Sequence, residues 1–217
     1  TPDAIALARK AAQRSVVLLR NQNNLLPLDP TKVGKMLVVG THARDTPIGG
    51  YSDEPKHVVS VLEGLQTAAR GRYQVSYSEG IRLTESRCWS CDEVKLVPAE
   101  TNRRLTAEAV LSLGALASLA ILAVRRFNNG TALLSREAWA DAHLGDRSSL
   151  DLVGQQEELA RAILALGKPT VVLLLNGRPL AVNYLAENAP ALIEGWYLGQ
   201  ETGNAVADVL FGSVSPG

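Results

Sequence analysis

Between Arg125 and Arg147 the chain gathers Glu137, Trp139, Asp141, His143, Asp146 and Arg147 into one polar stretch that directly follows an apolar run. A carboxyl that can transfer a proton, an aromatic face that can lie against a ring and several groups that can read hydroxyls are what cleavage of a sugar requires. Polar loops of this kind also occur as plain solvated connections, so composition alone leaves both readings open.

The other reactive side chains are more scattered. His42 follows an apolar run closed by Gly40, where it can meet a ligand or cap a loop. His57 lies in a charged turn after Pro55-Lys56 with no partner at metal-ligand spacing, which favours a solvated role. Cys88-Trp89-Ser90-Cys91 supplies two of the four ligands of a structural zinc and lacks the strand-then-helix setting of a redox pair. A local disulfide or a pair of idle thiols accounts for it, and no metal or cofactor is called for. No Gly-Lys-Ser/Thr phosphate loop, no Gly-x-Gly-x-x-Gly and no nucleophile-elbow serine is present, which disfavours a nucleotide- or flavin-binding protein. Asn176-Gly177-Arg178-Pro179-Leu180 suits either an anion-binding turn or a loop tied down by its arginine. Trp196-Tyr197 suits either a cleft lining or a packing contact. Asn129-Gly130-Thr131 is a glycosylation acceptor in any source that glycosylates.

These residues need a frame, and the hydrophobic pattern supplies one. Ile5, Ala8, Ala12, Val16 and Leu19 recur at spacings of three and four, predicting a helix over 3–20. Short apolar runs at 36–40, 119–124, 170–175 and 191–196, and an alternating stretch at 73–77, predict strands. Helical spacing returns over 60–70, 101–117, 154–166, 181–187 and 202–211, while 78–100 holds no period. Alternation of this kind predicts an α/β fold in which helices cover both faces of a parallel sheet. Ligands of such sheets lie beyond the strands' carboxyl ends, here the loops after Gly40, Val124, Leu175 and Trp196.

With 217 residues, one domain is the expectation. Lys plus Arg (22) balances Asp plus Glu (22), so no surface field concentrates nucleic acid or an anionic membrane. A neutral small molecule is the natural partner. The apolar runs are far shorter than the roughly 20 residues of a membrane span. The compartment stays open among periplasmic, secreted and cytoplasmic.

Taken together, five motifs in register resemble the second domain of glycoside hydrolase family 3, the β-glucosidases, β-xylosidases and relatives. They are Ala11 through Asn21 with Leu25-Leu26-Pro27-Leu28; Arg136-Glu137-Ala138-Trp139 with His143-Leu144-Gly145-Asp146-Arg147 and Ser149-Leu150-Asp151-Leu152; Gly167-Lys168-Pro169; Asn176-Gly177-Arg178-Pro179-Leu180; and Trp196 through Glu201 running on to Ala207-Asp208-Val209-Leu210-Phe211-Gly212. One departure is Arg125-Arg126-Phe127-Asn128, where many relatives have glycine followed by glutamate.

The resemblance implies an α/β sandwich with a six-stranded, mostly parallel, flavodoxin-like sheet, divided as a linker and entry helix over 1–30 and the sandwich over 31–217. It further implies retaining hydrolysis of terminal β-linked sugars, with Glu137 as acid/base, Trp139, Asp141 and His143 helping to shape the sugar site, and a nucleophilic aspartate on a separate (β/α)8 barrel. A barrel takes about 250 residues, more than this chain can hold beside the sandwich. The chain is therefore expected to be a portion of a larger or split enzyme, inactive alone, that binds a β-linked oligosaccharide or glucoside together with its barrel. A catalytically silent carbohydrate- or partner-binding module of the same fold is the alternative.

Overall fold

The structure is a computed structural model, and it describes residues 1–46, 48, 55–85, 96–125, 149–177 and 179–217. Helix α1 (Pro2–Ser15) leads into strand β1 (Val17–Asn21); then come β2 (Lys35–Val39), the single turn α2 (Thr41–Arg44), α3 (Val61–Ala69) and β3 (Gln74–Ser78). They are followed by α4 (Ala99–Leu116), β4 (Leu119–Arg125), α5 (Gln156–Leu164), β5 (Thr170–Leu175), α6 (Asn183–Asn188), β6 (Ala191–Glu194) and α7 (Thr202–Leu210).

The strands form a six-stranded sheet in the order β1-β6-β5-β4-β2-β3. Every pairing is parallel except that of β1 with β6. The expected six-stranded, mostly parallel α/β fold is therefore what forms. Without β1, the order is the flavodoxin-like doubly wound one, in which the chain reverses its direction of travel between β2 and β4.

Side chains alternate across this sheet, and each face meets its own helices. Met36, Val38, Ile121, Leu173 and Ile193 face one cluster with α1, α3 and α7, whereas Leu37, Val39, Leu122, Val172, Leu174 and Leu192 face the other with α4, α5 and α6. Because both faces are covered, every residue of β5 is buried. This is why residues 171–175 read as an unbroken apolar run rather than an alternating one.

The first strand corrects the sequence reading. The helix predicted over 3–20 stops at Ser15, Val16 turns extended (φ −71°, ψ 129°), and Val17–Asn21 pairs antiparallel with β6. Ile5 and Leu19, two members of the predicted apolar face, are exposed, while Ala12 and Val16 are buried. A four-residue apolar run suits a helix turn or a strand equally well, and the open edge of β6 decides for the strand. Val17–Asn21 thus belongs to the sheet, and Leu26 and Leu28 to its core. Helix α1 is fastened to α7 by Arg9, whose guanidinium donates twice to the Asp208 carboxylate at 2.7 Å, and by Gln13 Nε2 at 2.6 Å.

The other elements match their patterns to within a few residues. Helix α3 starts with a reciprocal cap, in which Glu63 N–H donates to Ser60 Oγ and the Ser60 N–H donates to the Glu63 carboxylate. Helix α4 ends on a cation instead: Lys168 Nζ donates to the carbonyls of Leu113 (2.6 Å), Gly114 (2.9 Å) and Ala117 (2.6 Å). A charged donor at a helix C-terminus satisfies orphan carbonyls and opposes the helix dipole. Replacing Lys168 with methionine keeps the stem and removes the donor, and is expected to cost about 2 kcal/mol, or roughly 4–8 °C in thermal midpoint by circular dichroism.

Candidate active site

The carboxyl ends of β2, β4, β5 and β6 all open on one side of the sheet, and their registers show how far each projects. Val39, the last residue of β2, pairs with Leu122, while β4 continues to Arg125 beside Leu175. Three further residues carry β4 about 10 Å past the end of β2. Gly40 turns the chain aside at that step with φ 113°, so close to β4 that a Cβ there would sit 2.2 Å from the Ala123 carbonyl oxygen. The step lies at the reversal point of the sheet, where ligands of such folds bind, and β4 ends there at Arg125.

The predicted site residues Glu137, Trp139, Asp141 and His143 follow β4 in the sequence and lie outside the described residues, as do Asp146 and Arg147. Cys88, Cys91 and Arg178 are also outside them. What the structure supplies is the rim around the loop's departure point.

On the β2 and β3 side, the rim is built from α2. Thr41 Oγ1 donates to the Ile81 carbonyl, and His42 is buried. The Arg44 guanidinium lies 5.3 Å from the centre of the Tyr77 ring. Burial pushes the Tyr77 hydroxyl up to about 12, too high for proton transfer near neutrality. His57 is exposed, in keeping with the solvated reading.

On the β5 and β6 side stands a carboxyl that the sequence reading passed over. Glu194 ends β6 and is 7% exposed. Its Oε1 accepts the Trp196 N–H at 2.9 Å, and its Oε2 accepts from Nδ2 of the fully buried Asn176 at 3.2 Å. Trp196 itself has φ 53°, so β6 stops at Glu194 and not at Trp196 as its apolar run suggests. A left-handed backbone costs an L-residue roughly 1–2 kcal/mol, and the Glu194 carboxylate holds the turn there. A charged residue closing an otherwise apolar run, Ala191-Leu192-Ile193-Glu194-Gly195, was the available signal.

Burial raises the Glu194 carboxyl above its ordinary value of 4.5, outweighing the hydrogen bonds from Trp196 and Asn176 that favour the anion. The folded chain therefore binds more protons than the unfolded chain between 4.5 and the raised value. Stability must fall as pH rises through that window. Denaturant unfolding of the chain and of Glu194→Gln should show this directly: the stability of the former relative to the latter declines upward from pH 4.5 and then levels off.

Among the described residues, no group of three or more His, Cys, Asp and Glu could hold a metal ion. No described helix is long and apolar enough to cross a membrane.

Residues 16–217 match the family model of the glycosyl hydrolase family 3 C-terminal domain. A β-xylosidase of Formosa agariphila is 37% identical over 97% of this chain and 27% of its own length. The periplasmic β-glucosidase of Salmonella typhimurium is 34% identical over 96% of this chain and 27% of its own length. A solved β-glucosidase of Erythrobacter marinus superposes with a TM-score of 0.87 at 40% identity, across 99% of this chain and 29% of that one. The chain thus spans about a quarter of the length of the curated relatives it matches.

Proposed function

Because the chain belongs to glycoside hydrolase family 3, as its C-terminal domain, we propose that it supplies the acid/base half of a retaining β-glycosidase site. Glu137 donates a proton to the leaving-group oxygen and afterwards takes one from water. An aspartate on a neighbouring (β/α)8 barrel domain attacks the anomeric carbon. Trp139, Asp141 and His143 help shape the pocket. The substrate is a terminal β-linked glucoside or xyloside, following the names of the relatives.

The observation that supports this reading is the step in the sheet: β4 overshoots β2 at the reversal point, and the segment that contains Glu137 follows β4 in the sequence. A carboxyl projected beyond the strand ends can meet a second protein body, whereas one tucked among the helices cannot. Retaining hydrolysis needs the two carboxyls about 5–5.5 Å apart. Across a domain boundary that spacing depends on firm docking.

The 217-residue chain by itself is accordingly expected to give no turnover. Purified chain and full-length enzyme compared on nitrophenyl β-glucoside and β-xyloside provide the check. Hydrolysis by the isolated chain at a rate near that of the full-length enzyme would remove the shared-site reading.

A further inference from the structure

The described rim holds a buried carboxylate to which the reaction so far assigns no part. Glu194 joins three things: the end of β6, the residue after β5 through Asn176, and the turn at Trp196. Leu174 pairs both with Val124 on β4 and with Glu194 on β6, so all three stand at one level of the sheet. Glu194 is two strands from β4, about 10 Å away. The Trp196 turn therefore lies at the level where β4 ends, two strands away, and the segment that contains Glu137 follows β4 in the sequence.

Trp196 is also the wrong residue for a merely structural turn. Its left-handed backbone suits glycine, yet the position carries a large aromatic side chain that remains 38% exposed. Strain of this kind survives where the surroundings enforce it and the side chain is of use. Here the enforcing group is the Glu194 carboxylate.

We propose that Glu194 is a positioning residue, fixing Trp196 so that its indole forms a stacking face for the leaving-group sugar of a β-linked disaccharide. This rests on the reading of Glu137 as the acid, because the acid protonates the leaving-group oxygen and the leaving group must lie against the domain that carries it. An indole offers a flat apolar body to the C–H face of a pyranose and keeps its N–H for a hydroxyl.

The test uses the full-length enzyme and the ratio of kcat/KM for a β-linked disaccharide to that for the matching glycosyl fluoride, whose leaving group has no ring. Trp196→Gly suits the backbone, so the fold should hold, with a thermal midpoint no lower than that of the unsubstituted enzyme. The ratio is expected to fall about tenfold, equivalent to about 1.4 kcal/mol, chiefly through KM for the disaccharide. Glu194→Gln should lower the same ratio by about threefold to fivefold, in keeping with one charge-assisted hydrogen bond lost. The double variant should be no worse than Trp196→Gly alone, since Glu194 acts through the indole. Trp196→Phe should restore part of the ratio.

A ratio unchanged in Trp196→Gly, or effects of Glu194→Gln and Trp196→Gly that simply multiply, would overturn the inference. Failure of the acid assignment looks different: Glu137→Gln would then treat good and poor leaving groups alike, whatever the Trp196 ratio does. An unsubstituted full-length enzyme that turns over neither substrate would remove both readings together.

Discussion

Alanine at position 203 is expected to leave little folded protein. Helices α3 and α7 meet backbone to backbone: a Cβ on Gly203 would lie 1.8 Å from the Ser60 carbonyl oxygen, and a Cβ on Gly64 would lie 2.1 Å from the Gly203 carbonyl oxygen. The contact is fixed by two hydrogen bonds, Val59 N–H to the Gln200 carbonyl and Gly203 N–H to the Val59 carbonyl, both at 2.8 Å. Since the obstruction is main chain, no rotamer change relieves it and the helices must part.

Overpacking against flexible side chains costs about 1–3 kcal/mol, and a rigid backbone places Gly203→Ala above that range. A domain of this kind has about 5–15 kcal/mol in total. Loss of soluble yield, or a thermal midpoint lowered by more than about 10 °C, is the expected result. Gly64→Ala should behave similarly, because the roughly 1 kcal/mol that alanine gains over glycine inside a helix is outweighed. The control has the opposite sign. Gly114 in α4 has nothing within 4 Å of a Cβ and no positive φ, so Gly114→Ala should stabilise the chain by up to about 1 kcal/mol.

The second large effect falls on turnover. Glu137→Gln in the full-length enzyme is expected to lower kcat/KM on disaccharides and other poor leaving groups by about 100- to 10,000-fold, the usual contribution of positioned proton transfer. On a dinitrophenyl glycoside, whose leaving group departs without protonation, the first bond cleavage should change little. Breakdown of the glycosyl-enzyme, which needs the same residue as base, then becomes limiting, so a rapid burst followed by slow turnover is the expected time course. An equal loss on good and poor leaving groups would take Glu137 out of the role, and wild-type rates on both would return the loop to a solvated connection.

Much of this architecture is legible in the residues themselves. Four strands announce themselves as apolar runs closed by Gly40, the 125–126 arginines, Asn176 and Gly195, because burial on both faces removes the polar alternation, while the edge strand β3 shows itself by alternation through Tyr73, Val75 and Tyr77. Ser60 with Glu63 marks a helix start through local chemistry alone. The family, too, is legible, since its motifs fall in order along the chain and the family model matches 16–217.

Relations between distant segments were not legible. Strand β1 reads as helix because Val16-Val17-Leu18-Leu19 gives no period long enough to choose, and its partner β6 lies near the other end of the sequence. The Gly64–Gly203 contact leaves no local trace, for each glycine looks merely like a weak helix residue. Glu194 escaped notice because a carboxyl after three apolar residues resembles the polar cap of a strand, and its burial depends on Asn176 and the Trp196 turn closing over it.

The most direct measurement is the distance between two carboxyls in a crystal structure of the full-length enzyme with a sugar bound. The Glu137 carboxyl is expected about 5–5.5 Å from the carboxyl of a barrel aspartate, one on either side of the anomeric centre. A Glu137 turned inward and paired beneath the helices, or another glutamate occupying that distance, would contradict it.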